Sequence, residues 1–198
     1  MNSREQILAD LRRNAPPALP LPPVSEGIEY ADPSKQFEEV FNSVGGKCIR
    51  LRSREALSAE VAALKVCADA TQVASLVDDL PSRGIDLAKV DDPHQLSEVD
   101  VAVLPAEFGV AENGAVWIPG STLGANRAIF VIAQHLVLVL NESQIVSNMH
   151  QAYQRVELER PGFGLFLCGP SKTADIEQSL VIGAHGARSC TLFLLGSR

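Results

Sequence analysis

Four short apolar runs, at residues 99–104, 136–140, 163–168 and 190–195, punctuate the C-terminal half of this 198-residue chain. Runs of this length and composition suit strands buried on both faces of a parallel sheet. Helical patterns fill the stretches around them. Ile7, Leu8 and Leu11 share one side of a helix over residues 3–13. Phe37, Val40 and Phe41 point the same way in a helix over 33–44, which Gly45 and Gly46 end. Residues 57–64 read as a helix, 73–77 as a short helical piece and 47–51 as a further strand. Strands alternating with helices predict the α/β class, with a mostly parallel sheet flanked by helices.

The N-terminus is organised differently. Residues 15–24 contain five prolines and predict an extended linker. Residues 1–24 therefore form a helical arm and linker ahead of one domain at 25–198. The arm is either a mobile tail or a means of reaching a second subunit, since its apolar stripe would pair the chain as a homo-oligomer. Seventeen basic residues against 24 acidic ones give a net charge of −7, which argues against nucleic acid or an anionic membrane as partner. The most apolar stretch, 128–140, is interrupted by Gln134 and His135, so no membrane span is expected. With no signal-peptide pattern at its start, the sequence reads as cytoplasmic. Cys48, Cys67, Cys168 and Cys190 are scattered without a C-x-x-C pair, which predicts reduced thiols and no metal or cluster framework.

Residues 163–186, F-G-L-F-L-C-G-P-S-K-T-A-D-I-E-Q-S-L-V-I-G-A-H-G, carry the most chemistry. An apolar strand meets Gly169 and Pro170. Ser171 or Thr173 then caps a helix whose first turns hold Asp175 and Glu177 and whose buried stripe is Ile176, Leu180 and Ala184. Lys172 would put a cation beside free helix-start amides, an arrangement suited to phosphate or carboxylate. Asp175 either occupies the positive helix end itself or serves there as acid or base. A plain capped helix between two strands is the alternative.

The same segment resembles the signature of the LUD-domain proteins of the lactate-utilisation protein C family (LutC/YkgG), close to G-P-S-R-T-A-D-I-E-x-x-L-V-x-G-x-H-G-P. A second block, G-V-A-E-N-G from Gly109 to Gly114, is similar to the family's G-x-A-E-T-G. A third, H-L-V-L-V-L at 135–140 followed by Gln144, Ile145 and Val146, resembles its H-I-x-V-V strand and Q-I-V helix start. Lys172 replaces an arginine, Asn113 a threonine and Ala187 a proline. The charge at 172 is kept while the bidentate fork is lost.

The resemblance implies the fold shared by ribose-5-phosphate isomerase, glucosamine-phosphate isomerase and the coenzyme A transferases. It also implies a non-redox subunit of an L-lactate oxidation system, with no cofactor on this chain and iron–sulfur clusters on partner proteins. In coenzyme A transferases a glutamate of an S-E-N-G-like loop attacks the acyl thioester, so Glu112 is a candidate nucleophile. Asn113 and Gly114 equally form a hairpin turn, with Glu112 exposed beside it. The candidate site comprises Glu112, Asp175 and His185 as acid, base or nucleophile. Gly109, Asn113, Gly114, Arg127, Gly169, Ser171, Lys172 and Thr173 would hold a small carboxylate or phosphate. Arg127 would bind a carboxylate or sit in a surface salt bridge. His135, preceding a buried strand, reads as structural. A free-standing transferase or isomerase and a ligand-binding module without chemistry are the competing readings.

Overall fold

The computed structural model describes residues 2–17, 19–20, 27–157, 162–174 and 180–196. Its centre is a parallel sheet of β1 (Lys47–Leu51), β2 (Val73–Ser75), β3 (Val101–Pro105), β6 (His135–Asn141) and β11 (Ser189–Leu195), in the spatial order β1-β11-β6-β3-β2. All four strand pairings in it are parallel. A second, mixed sheet takes β4 (Phe108–Val110), β5 (Ala115–Pro119), β7 (Ile145–Val146) and β8 (Gly164–Leu167), in the order β7-β4-β5-β8.

Strand alternation sorts the core into layers. Leu136, Leu138 and Leu140 of β6 face one side, with Phe37, Phe41, Val116 and Ile118. Val137 and Val139 face the other, with Leu57 and Val61 of α3 (Leu57–Ala63) and Cys67 of α4 (Lys65–Ala68). The short helices α5 (Gly120–Leu123) and α6 (Ile129–Ile132) lie between β5 and β6 in the chain. The second sheet covers the first face and is itself covered by α7 (Met149–Arg155), where Ala152 packs with Phe108, Val110 and Trp117. The layers therefore run helix, parallel sheet, mixed sheet, helix.

Helix α2 (Pro33–Ser43) shows how local sequence sets this up. Asp32 accepts from the Lys35 N–H, proline occupies the first turn, and Phe37 and Phe41 lie one turn apart, fully buried. Their rings stack at 5.8 Å. Asn42 accepts from the Cys48 N–H at 2.8 Å, fastening the helix end to β1. At the free edge of β1, Arg50 pairs with Glu38 and Glu142, and Ser34 donates to the same Glu142. Burial, reinforced by Glu38, pushes the neighbouring Cys48 thiol up to about 12. All four cysteines are free thiols.

Helix α1 (Ser3–Arg13) forms as predicted, closed by a capping box between Asn2 and Glu5, with no buried residue. Ile7 and Leu11 are exposed. The proline-rich stretch falls partly outside the described residues.

Four expectations need correction. Residues 73–77 are not helical: Val73–Ser75 is an edge strand, because Asp100 accepts from the Thr71 and Gln72 N–H groups and sets it beside β3. Gln144 ends a 3-10 turn and Ile145–Val146 is a strand beside Gly109 and Val110, so no helix starts there. The run at 163–168 does form a strand, but it lies half-buried at the edge of the mixed sheet, antiparallel to β5. The ends of the helix expected after Ser171 are instead strands: β9 (Lys172–Ala174) and β10 (Leu180–Ile182) pair antiparallel, with Thr173 opposite Val181 and Lys172 opposite Ile182, and the expected helix's residues 175–179 lie outside the described residues. β-Branched Thr173, Val181 and Ile182 favour extended backbone, and cross-strand pairing outweighs the capping pattern at Ser171 and Thr173.

Candidate functional site

The hairpin β4–β5 turns through Ala111, Glu112, Asn113 and Gly114, a four-residue connection closed by the Gly114 N–H to the Val110 carbonyl at 2.9 Å. Asn113 Oδ1 accepts from the Ala115 N–H at 2.9 Å, and the Asn113 carbonyl accepts from the Cys168 thiol at 3.0 Å. Gly114 takes φ +69°, and an added Cβ would lie 2.9 Å from the Phe41 nitrogen. Turn geometry and close approach to α2 thus account for Asn113 and Gly114. Gly109 lies within β4, where a Cβ would fall 2.8 Å from Leu140 Cδ2. Its role is to let the two sheets approach.

Glu112 is exposed, yet its carboxylate is engaged. Oε2 accepts from the Met149 N–H at 2.9 Å at the start of α7, and its backbone N–H donates to the Ser147 carbonyl at 3.0 Å. A carboxylate at a helix start meets the positive end of the dipole. Nothing in the local pattern points to this partner, 37 positions away.

The signature segment is spliced onto the N-terminal approach to β11. The Ser171 N–H donates to the Ala187 carbonyl and the Ser171 carbonyl accepts from the Gly183 N–H, both at 2.9 Å. No helix-start amides are therefore presented at Ser171–Thr173. Gly186 passes so close that a Cβ there would sit 3.0 Å from Ser171 Cβ and 3.1 Å from its Oγ, which gives the His-Gly step a steric reason. Between this segment and β6 opens a cleft of about 270 Å³. Phe130, Leu136 and Leu165 make its apolar wall, and Cys168, Ser171 and His185 contribute its polar groups.

The structure thus brings Gly169, Ser171 and His185 to one cleft and ties Asn113 to it through Cys168. Lys172 and Thr173 stand on β9, Lys172 exposed and near enough that its charge opposes part of the burial that raises the Cys168 pKa. Arg127 does not line this cleft; its guanidinium lies 5.3 Å from the centroid of the Phe163 ring, a cation–π contact. Asp175 lies outside the described residues. His135 is structural as read: its Nδ1 is 2.8 Å from Ser189 Oγ at the first rung of the β6–β11 pairing. The cleft wall from residues 130–136 was missed, although the apolar stretch 128–140 was its signal.

Residues 72–195 match the LUD domain family, and this stretch contains every candidate residue above. The chain belongs to the LUD-domain family. "Lactate utilization protein C" of Deinococcus radiodurans is 26% identical over 186 residues, covering 91% of this chain and 88% of that protein. Another protein of that name, from Shouchella clausii, is 32% identical over 97 residues, 46% of this chain and 42% of its own length. "Uncharacterized protein YkgG" of Escherichia coli is 31% identical over 99 residues, with the same coverage of 46% and 42%. The chain thus spans less than half the length of several relatives it matches. A crystal structure of a DUF162 family protein from Deinococcus radiodurans shares the fold, with a TM-score of 0.58 at 17% identity over 88% of this chain and 100% of that one. Among the described residues of this LUD protein, no helix is long and apolar enough to cross a membrane.

Proposed function

We propose that this LUD protein is a non-redox component of a system oxidising L-lactate to pyruvate, and that it acts with iron–sulfur partner proteins. The observation that carries this reading is the alignment with the Deinococcus lactate utilization protein C along nearly the whole of both chains. Its own chemical contribution is to bind a small anion. The signature cleft is of a size for a small carboxylate or phosphate, with Ser171 and His185 as polar contacts and apolar walls that exclude water from one side. The two electrons leaving lactate pass to the partners and not to a group on this chain.

The transferase reading needs Glu112 free to attack a thioester. Its engagement at the start of α7 favours an anchoring role instead. The test is L-lactate-dependent reduction of an acceptor dye in extract from a host lacking this gene, with purified chain added back. Wild type is expected to restore the rate and His185→Ala to fall at least about tenfold short. Full restoration by Glu112→Gln fits the anchoring role, whereas its failure revives the transferase chemistry. If deleting the gene leaves the rate unchanged, the lactate role is wrong.

A further inference from the structure

A second cavity, of about 230 Å³, lies at the opposite end of the parallel sheet from the signature cleft. The cleft is lined by Leu136, near the start of β6, whereas the cavity is lined by Val139 and Asn141, at the end of that strand. Five residues along a strand separate the two by roughly 16 Å. Open α/β sheets gather ligands in the crevice outside the carboxyl ends of their strands, because the loops leaving several adjacent strands converge there. Here Pro105 closes β3, Asn141 closes β6, Leu76 and Asp78 follow β2, and Arg54 follows β1.

The chemistry of this lining is specific. Arg54 donates through Nε to Asp79 Oδ2 at 2.5 Å, which orients the guanidinium and leaves both Nη groups without a partner among the described residues. A guanidinium held in this way presents a planar fork matched to a carboxylate. The side chains of Asp78 and Asn141 also have no hydrogen-bond partner among the described residues, and they supply an acceptor for a hydroxyl and an amide donor. Leu76, Pro105 and Val139 supply an apolar surface for a short alkyl group.

We propose that this edge of the sheet is a binding site for a small carboxylate carrying a hydroxyl on the adjacent carbon. Its carboxylate sits on Arg54, its hydroxyl donates to Asp78, Asn141 bridges the two, and its alkyl group rests on Pro105 and Val139. The choice of a hydroxyl over an ammonium rests on the lactate reading given above; the location does not.

Calorimetric titration of the full chain with L-lactate, propionate and L-alanine tests the assignment. L-lactate is expected to bind at least about tenfold more tightly than propionate, which lacks the hydroxyl, and more tightly than L-alanine. Arg54→Gln and Asn141→Ala, both at exposed positions, are expected to keep the wild-type melting curve while weakening L-lactate at least about tenfold. Unchanged affinity in both variants overturns the site, as does the absence of L-lactate binding to wild type. A preference for L-alanine overturns the hydroxy-acid assignment. The add-back assay fails or succeeds independently: binding without restored dye reduction keeps the site and removes the metabolic role, and restoration without binding does the reverse.

Discussion

His135 is a histidine whose protonation the fold opposes. Burial lowers its pKa, Arg188 repels the imidazolium further, and Asp100 only partly opposes them. Above the ordinary value of about 6.5 the ring is neutral whether the chain is folded or not, and it costs nothing. As pH falls through that value the unfolded chain takes up the proton first, so stability is lost until the folded-state pKa is passed. Melting curves from pH 7 to pH 5 should therefore show a larger fall in Tm for wild type than for His135→Gln; equal falls would mean the ring is not held neutral. That His135 is structural was legible from its place before an apolar run. What engages Glu112 was not legible, because the Met149 N–H reaches it only after β7 has paired with β4, strands some 35 positions apart.

Among the elements, α2 does most to fix the relation of the two sheets. Phe41 has no exposed surface, and its backbone lies against the turn of the β4–β5 hairpin at Gly114. Phe41→Ala should cost about 3–5 kcal/mol in chemical denaturation. Gly114→Ala combines an unfavourable left-handed backbone with a 2.9 Å approach to the Phe41 nitrogen, and it should cost more than about 1 kcal/mol. Indifference to both would show that the hairpin does not depend on α2. Helix α2 was legible because its caps and its aromatic spacing are local. So were β6 and β11, as short apolar runs. The segment after Ser171 misled for the converse reason: its polar residues suit a helix cap, but the pairing of Lys172 with Ile182 across the hairpin is decided by partners ten positions apart. Val73–Ser75 is likewise a strand only because β3 lies beside it, which three residues cannot reveal.

At the scale of the whole molecule, the parallel class could be read from the sequence, but the strand order could not. β11 stands between β1 and β6 and pairs with both, so among the described residues β1 has no other strand neighbour. Removing residues 189–198 should leave β1 unpaired and half of the β6 edge open, giving a protein without a cooperative thermal transition and with strong binding of a hydrophobic dye. A sharp transition in the truncated chain would contradict this dependence. The same placement governs how the protein is made. On the ribosome β1 emerges more than 130 residues before the strand that completes it, so a translating chain carries an unpaired strand throughout that interval. Nascent copies are then vulnerable to pairing with one another, and the burden of preventing it falls on chaperones until the last strand leaves the exit tunnel.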